Sequence, residues 1–314
     1  MPGVAVVTDS TSSLSPAVAD RAGVVVVPLQ VIVDGTSRPE SFRPGVGTST
    51  PGAVAAALRE GRTVSTSRPA PEAFSGAYAA AAERGASAIV SVHLSGAISS
   101  TIDAAELAAR TVPIPVTVVD SRTVASGCGF AALAAAAAAV TGASAEEVAE
   151  IARRRAAASV TYFCVESLEY LRRGGRIGAA QALLGSALAV KPLLSVVDGQ
   201  ITPQERVRTM SRALARLEEL AITALDADAR GSRGRGEPGR VGQKRGDQEE
   251  GVESEVVADV AVLHLDNRSA ADRLARTLKA RGPRVGSVTV SEVSAVLGVH
   301  CGPGTVGVVV SPRV

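Results

Sequence analysis

The fold class is decided by the stretch VAVVTDSTSS, residues 4–13. Its first four residues are apolar and mostly β-branched, which predicts a buried strand, whereas the acidic and hydroxyl residues that follow are typical of a loop. Ser15 and Pro16 then signal the start of a helix. A strand that leads through a polar loop into a helix is the unit from which parallel sheets are built.

Further apolar runs repeat this unit in the first half of the chain. They are residues 24–33, interrupted by Pro28, residues 88–92 and residues 116–119. Helix starts are indicated by Thr50 before Pro51 and by a capping box of Ser144 and Glu147. Residues 130–140, most of them alanine, are expected to form an interior helix.

The pattern of strands and helices changes after residue 158. The later predicted strands are residues 160–165, 256–265, 285–290 and 306–310. We therefore predict two domains, an N-terminal α/β domain of residues 1–158 with a parallel sheet and a C-terminal α+β domain of residues 159–314. At about residues 226–255 apolar periodicity is lost among glycines and charges, which predicts a disordered insertion.

The charge and composition of the chain exclude several classes of partner. The 314 residues carry 33 basic and 31 acidic side chains, a formal net charge of +2, and only 2% are aromatic. Such a chain lacks both the electrostatic attraction and the stacking surfaces that nucleic acids need. Residues 130–140 fall far short of the roughly 18 apolar residues that cross a bilayer, so no integral membrane association is expected.

The sequence shows neither a secretory leader nor a cysteine framework. Residues 1–3 run directly into the first apolar stretch, so a cytoplasmic location is expected. Cys128, Cys164 and Cys301 are odd in number and far apart, which suggests neither a zinc site nor a disulfide scaffold. The three histidines also lack metal-ligand spacing, so no metal is expected.

Strands of the predicted parallel sheet end in polar loops at residues 8–13, 94–96 and 120–122. Because the carboxyl ends of parallel strands meet at one edge of the sheet, these loops are expected to converge. The helices that follow offer backbone N–H groups to an anion, although ordinary caps and turns explain the hydroxyl residues equally well. No nucleotide-binding motif accompanies the loops, and Ser95 lacks the G-x-S-x-G context of a hydrolase nucleophile.

Two glycine-containing segments stand out in the second half of the chain. Residues 168–178 combine arginines with the consecutive glycines Gly174 and Gly175 and precede the apolar residues 182–194, which we interpret as a helix. The cations suit an anionic partner, although a solvated helix end explains them equally well. Residues 300–304, His-Cys-Gly-Pro-Gly, predict a turn where the backbone approaches another group closely.

The order of these blocks resembles that of the DegV family over nearly the whole chain. The blocks that carry the resemblance are residues 8–11, 66–69, 94–96, 119–121, 168–177, 191–194, 206–209 and 300–304. The resemblance implies a two-domain bacterial protein that binds one long-chain fatty acid between its domains. It also implies presentation of the fatty acid to a separate ATP-dependent fatty acid kinase. The chain would then be a lipid carrier without a cofactor, and not an enzyme.

The resemblance also assigns roles to single residues. The family positions that bind the fatty-acid carboxylate fall on Thr66, Ser95 and His300. The residues expected to shape the same pocket are Asp9, Ser10 and Gly96. The cations expected to dock the kinase are Arg176 and Arg208. Hydroxyl and imidazole donors can hold a carboxylate without the strong attraction of a buried arginine pair, so the head group stays available for phosphorylation.

Two other functions are open at this point. A lipid ester hydrolase could use Ser95 as nucleophile and His300 as base. A subunit of a sugar-ketone kinase is suggested only by analogy of α/β architecture. For the carrier, about 14 buried methylenes at about 0.8 kcal/mol each could contribute on the order of 11 kcal/mol before binding costs. Residues 182–194 are candidates for the lining of the acyl chain.

Overall fold

A computed structural model describes residues 3–183, 190–231, 257–281 and 285–313. The strands are, in chain order, β1 (Val4–Asp9), β2 (Val24–Val27), β3 (Gln30–Val33), β4 (Thr36–Pro39), β5 (Val64–Ser67), β6 (Ala88–His93), β7 (Val116–Asp120), β8 (Val160–Cys164), β9 (Lys191–Val197), β10 (Gln200–Val207), β11 (Ala258–His264), β12 (Val285–Glu292) and β13 (Val306–Pro312). The helices are α1 (Pro16–Ala22), α2 (Pro51–Arg59), α3 (Pro71–Glu83), α4 (Thr101–Ala109), α5 (Ser126–Val140), α6 (Ala145–Ala158), α7 (Glu169–Arg173), α8 (Met210–Gly231), α9 (Arg268–Arg281) and α10 (Ala295–Cys301).

The N-terminal part contains the predicted parallel sheet. Its strand order is β2-β1-β6-β7, and every neighbouring pair is parallel. The predicted helix starts are confirmed: Ser15 accepts a hydrogen bond from the N–H of Val18, and Ser144 forms a capping box with Glu147. Helix α5, which contains residues 130–140, packs its buried alanines against this sheet.

The apolar run at residues 24–33 forms two strands in different sheets, so the prediction of one interrupted strand is wrong. Strand β2 joins the parallel sheet, whereas β3 lies between β4 and β5 in a three-stranded antiparallel sheet. Pro28 separates β2 from β3, and proline has no N–H group to donate to a ladder. Strands β4 and β5 escape prediction because both are short, polar and partly or fully exposed.

The C-terminal part contains a six-stranded mixed sheet in the order β10-β9-β8-β13-β11-β12. Four of these strands match predicted runs, but residues 191–194 belong to β9 and not to a helix. Residues 184–189 of the same predicted helix lie outside the described residues. Strands β9 and β10 form a hairpin whose two-residue turn, Asp198 and Gly199, has positive φ at both positions. Asp-Gly between two strands is typical of a hairpin turn, so the sequence does contain a signal for this hairpin.

The predicted disordered insertion at residues 226–255 requires a correction at its beginning. Helix α8 continues to Gly231, so residues 226–231 are helical. Residues 232–255 lie outside the described residues. The domain boundary expected near residue 158 falls between α6 and β8 and stays a prediction.

The two faces of the six-stranded sheet have different neighbours. One face packs against α8 and α9 through buried side chains such as Leu217 and Leu278. On the opposite face Leu263 and Val309 form an apolar cluster with Ala125 of the N-terminal part. Helix α10 packs against both α2 and α7. The candidate site lies at this interface between the two parts.

Candidate functional site

Thr66 and His300 meet where the two parts of the chain are in contact. Thr66 lies on β5, and His300 occupies the last turn of α10. Thr66 Oγ1 and His300 Nε2 are 2.8 Å apart and hydrogen-bonded, although 234 positions separate the residues in sequence. Ser294 caps the other end of α10 by accepting a hydrogen bond from the N–H of Leu297. The capped start of α10 fixes the position of the helix, and its last turn places His300 next to β5.

The imidazole of His300 is largely buried and neutral. Burial, followed by the positive charge of Arg176, lowers the pKa of His300 to about 4. Its Nδ1 atom is buried and has no hydrogen-bond partner within the described part of the chain. The ring thus has spare hydrogen-bonding capacity without a positive charge at neutral pH.

An apolar cavity of about 70 Å³ lies beside His300 on the inner face of the six-stranded sheet. Both parts of the chain contribute apolar side chains to its walls, among them Val124, Phe163, Leu171, Ile201, Leu263 and Leu297. Gly307 on β13 also lines the cavity, where a methyl carbon would lie 3.2 Å from Cβ of Phe163. The volume is below the roughly 300 Å³ or more of typical ligand pockets, so a long ligand fits only if the walls move apart.

Two cavities with mixed polar and apolar linings adjoin the same pair of residues from the outside. Their volumes are about 550 and 390 Å³, and both are lined by Thr66, Arg176 and His300. Arg62 contributes to the larger cavity and Arg68 to the smaller one. Arg176 and His300 also line the apolar cavity. These two residues therefore mark the point where the apolar interior meets a basic, polar surface.

The hydroxyl of Ser95 is bonded to the backbone of another loop. Ser95 is buried, and its Oγ donates to the carbonyl oxygen of Gly199 at 2.8 Å and accepts from the N–H of Ala97 at 3.2 Å. Ser95 is not among the residues that line the three cavities. The structure thus joins Thr66 to His300 and places Ser95 beside the turn between β9 and β10.

The polar loops after β1, β6 and β7 converge, as the parallel sheet predicts. Asp9 Oδ2 accepts the N–H of Leu94 at 3.1 Å, and Asp120 Oδ1 accepts the N–H of Gly96 at 3.2 Å. Asp9 is fully buried and is also hydrogen-bonded to Nδ1 of His93 at 2.9 Å. Asp9 thus stabilises the loop after β6 through Leu94, but it does not line the three cavities.

Ser10 is paired with a buried carboxyl group that no sequence pattern indicates. Its hydroxyl donates to Glu40, and Glu40 Oε2 accepts the N–H of Val296 at 2.8 Å. Burial raises the pKa of Glu40 to about 7, in spite of these hydrogen bonds. The sequence gives no sign that Glu40 is buried, because Glu40 directly follows the exposed strand β4. The pair connects the loop after β1 to the first turn of α10, the helix that carries His300.

The two arginines predicted to dock a kinase lie in different surroundings. Arg176 is exposed, and its guanidinium donates to the carbonyl oxygens of Ile98 at 3.1 Å and Gly174 at 2.7 Å. It thus bridges the loop after β6 and the end of α7. Arg208 is exposed just after β10 and does not line the cavities around His300.

The pairing required for an ester hydrolase is missing from the described hydrogen bonds. Ser95 donates to Gly199 and His300 is bonded to Thr66, so the two residues do not form a nucleophile–base pair. The cysteines are free, and the described residues contain no cluster of His, Cys, Asp and Glu suited to a metal ion. Within the same residues no helix has the length and apolarity to cross a membrane.

The chain is similar to known proteins over its full length. A family model described as "Uncharacterised protein, DegV family" matches residues 3–313. A DegV domain-containing protein of Streptomyces coelicolor is 47% identical over 310 residues, which is 99% of each chain.

Solved structures share the fold over the whole chain. A DegV family protein from Thermus thermophilus, described by its fatty acid binding, is 32% identical with a TM-score of 0.81 and covers 99% of each chain. DegV from Bacillus subtilis, described as a fatty acid binding protein, is 28% identical with a TM-score of 0.81, over 99% of this chain and 100% of its own.

Proposed function

The chain belongs to the DegV family, and we propose that it is a carrier of one long-chain fatty acid. The carboxylate is held at Thr66 and His300, and the acyl chain lies in the apolar cavity behind them. The carrier presents the carboxylate to a separate fatty acid kinase, which forms an acyl phosphate. The proposal draws on the fatty acid binding described for the Thermus thermophilus and Bacillus subtilis proteins.

One observation carries the proposal: the apolar cavity reaches His300, whose neutral imidazole is hydrogen-bonded to Thr66. Carbon-lined walls suit a hydrocarbon, and each methylene that they bury is worth about 0.8 kcal/mol. A carboxylate at the mouth meets the hydroxyl of Thr66 and the neutral imidazole of His300 to which that hydroxyl is bonded. An amphiphile with one anionic end matches both halves of this site.

The small volume of the cavity defines how the acyl chain is accommodated. At about 70 Å³ the space is too small for an acyl chain in this conformation, and its walls come from both parts of the chain. Val124 belongs to the N-terminal part, whereas Phe163 and Leu263 belong to the six-stranded sheet. A fatty acid therefore separates these walls as it binds, and its buried methylenes replace the side-chain contacts that are lost.

Ser95 supplies a third donor to the carboxylate only after a change of partner. Its hydroxyl now donates to Gly199, so it must turn away from that carbonyl to reach a head group at Thr66 and His300. A new hydrogen bond to a carboxylate offsets the lost one, because bonds to charged acceptors are stronger. Asp9, Ser10 and Gly96 keep the surrounding loops in place.

The presentation of the head group depends on the exposed cations. Arg176 borders the mouth of the cavity and, together with the more distant Arg208, provides positive charge for docking a cytoplasmic kinase. Neither a Walker A run nor a G-x-G-x-x-G fingerprint follows a strand of the parallel sheet, which is why the phosphoryl transfer is assigned to a separate ATP-dependent protein. The carrier itself uses no cofactor.

Mass spectrometry of the freshly purified, denatured protein tests this function. We expect about one fatty acid per chain in the wild type and in His264→Ala, because His264 is buried on β11 away from the cavity lining. His300→Ala is expected to retain much less. A lipid-free wild type that also fails to bind added palmitate contradicts the proposal, and so does full occupancy in His300→Ala.

A further inference from the structure

Gly174, the residue that ends α7, lies against the imidazole of His300. A methyl carbon added to Gly174 would lie 2.1 Å from His300 Nδ1 and 2.7 Å from Cε1, far closer than real side chains approach. The backbone of Gly174, with φ of −75° and ψ of −7°, is right-handed and open to every L residue. Glycine is therefore required here by the imidazole and not by the backbone.

The neighbouring glycine has the opposite properties. Gly175 has φ of 67°, which disfavours a side chain, yet nothing lies within 4 Å of the carbon that a side chain would add. The two consecutive glycines thus meet different requirements. Gly175 turns the chain, and Gly174 leaves room for the ring of His300.

The contact at Gly174 also decides which nitrogen of His300 carries the proton. One hydrogen on Cα of Gly174 points along the direction of the missing Cβ and therefore towards Nδ1. A bare lone pair accepts this weak C–H contact, whereas an N–H would bring two hydrogens together and bury an unpaired donor. The proton of the neutral ring then belongs on Nε2, which faces Thr66.

We propose that Gly174 is a positioning residue of the fatty-acid site, and that it holds His300 as the Nε2–H tautomer, so that the Thr66–His300 pair has protons to donate. With Nε2–H donated to Thr66 Oγ1, the hydroxyl hydrogen of Thr66 is left for a carboxylate. Arg176 donates to the carbonyl oxygen of Gly174 and keeps this backbone at the cavity mouth. The inference rests on the proposed binding of a fatty acid at this pair.

A double-mutant cycle tests the steric part of the inference. Gly174→Ala is expected to weaken the binding of palmitate by about tenfold, because the added carbon displaces the ring and its donor. In the His300→Ala background the same change is expected to add no further loss. Gly76→Ala on α3 is the matched control and should bind like the wild type, since nothing lies within 4 Å of the added carbon.

Each outcome of this cycle decides the role of Gly174. If Gly174→Ala weakens palmitate binding equally in the wild type and in the His300→Ala background, Gly174 does not act through His300 and the inference is contradicted. If Gly174→Ala alone fails to fold, recovery of folding in the double variant supports the contact with His300. Continued failure to fold in the double variant overturns it.

Nitrogen-15 NMR of the histidine rings tests the tautomer without any lipid. The signals of His300, assigned by their loss in His300→Ala, are expected to show a protonated Nε2 and a bare Nδ1 in the ligand-free protein at neutral pH. A protonated Nδ1 overturns the inference even if palmitate binds. The expected tautomer in a protein that never binds fatty acid sinks the proposed function and leaves the role of Gly174 in holding the ring intact.

Discussion

The Thr66–His300 pair and Ser95 lie at the same interface but differ in how their polar atoms are used. His300 has one nitrogen bonded to Thr66 and a second, buried nitrogen without a partner in the described structure. Ser95 has its hydroxyl fully engaged, as donor to Gly199 and as acceptor from Ala97. With Nε2–H of His300 donated to Thr66, the hydroxyl hydrogen of Thr66 is available to a ligand at once, whereas the hydroxyl of Ser95 must first lose a partner.

The difference has a backbone cause at each place. Gly199 has φ of 79°, and a side chain there would strike Ser95 Oγ at 2.3 Å, so the hairpin turn fits closely over this hydroxyl. Gly174 approaches His300 equally closely but offers its ring no polar partner. Gly199 therefore gives the hydroxyl of Ser95 a hydrogen-bond partner, whereas Gly174 leaves Nδ1 of His300 without one.

The largest effect is expected on the pH dependence of stability. It arises at the N-terminal end of α10, where Glu40 accepts a hydrogen bond from the helix that carries His300. Because burial raises the pKa of Glu40 from 4.5 to about 7, the folded protein binds this proton more tightly than the unfolded chain. The stability contributed by this group is therefore complete below pH 4.5 and is lost as the pH rises to about 7. Relative to Glu40→Gln, the free energy of unfolding should fall by about 3 kcal/mol across this range.

Denaturant titrations of both proteins at several pH values measure this difference. Since other groups titrate in both proteins, only the wild-type value minus the Glu40→Gln value is informative. A difference that stays constant or rises between pH 4.5 and 7 shows that the carboxyl of Glu40 is not held in the buried state described.

The next effect separates His300 from Ser95 directly. His300→Ala is expected to weaken palmitate binding by about 2 kcal/mol, because Thr66 loses the partner that leaves its hydroxyl hydrogen free for the carboxylate. Ser95→Ala is expected to cost less than about 1 kcal/mol, because its new bond to the carboxylate replaces the bond to Gly199. Calorimetric titration of the two variants gives both values. If both variants lose the same binding free energy, or if Ser95→Ala loses more, the difference drawn between His300 and Ser95 is wrong.

The smallest effect on lipid binding is expected from the exposed arginines. Arg176→Ala should change palmitate binding by less than about 1 kcal/mol, because the guanidinium is exposed and bonded to backbone carbonyls. The same variant should slow phosphorylation of the bound fatty acid by a partner kinase, as should Arg208→Ala to a lesser degree. Coupled phosphorylation assays measure this, with Arg84→Ala as the control because Arg84 is exposed and lines none of the three cavities around His300. Weaker lipid binding with a normal rate of phosphorylation per bound lipid reverses the assignment.

The sequence predicts the parallel sheet and its helix starts because local residues determine them. Buried β-branched runs and the caps at Ser15 and Ser144 need no distant partner. The hairpin of β9 and β10 is also legible from Asp198 and Gly199, but the apolar residues around it equally suit a helix.

The candidate site is less accessible to sequence reasoning because its contacts join distant positions. Thr66 and His300 are proposed together only through the family resemblance, since 234 positions separate them. Nothing near Ser95 in sequence indicates that its hydroxyl bonds to Gly199. Burial of Glu40 likewise depends on the position of α10, which no local pattern supplies.

A crystal structure with bound palmitate tests the central claim most directly. We predict the carboxylate within hydrogen-bonding distance of Thr66 Oγ1 and His300 Nε2, with the acyl chain between Val124 and Phe163 and the cavity walls moved apart. A carboxylate bound elsewhere, or an acyl chain outside a cavity that keeps its present packing, would contradict the account.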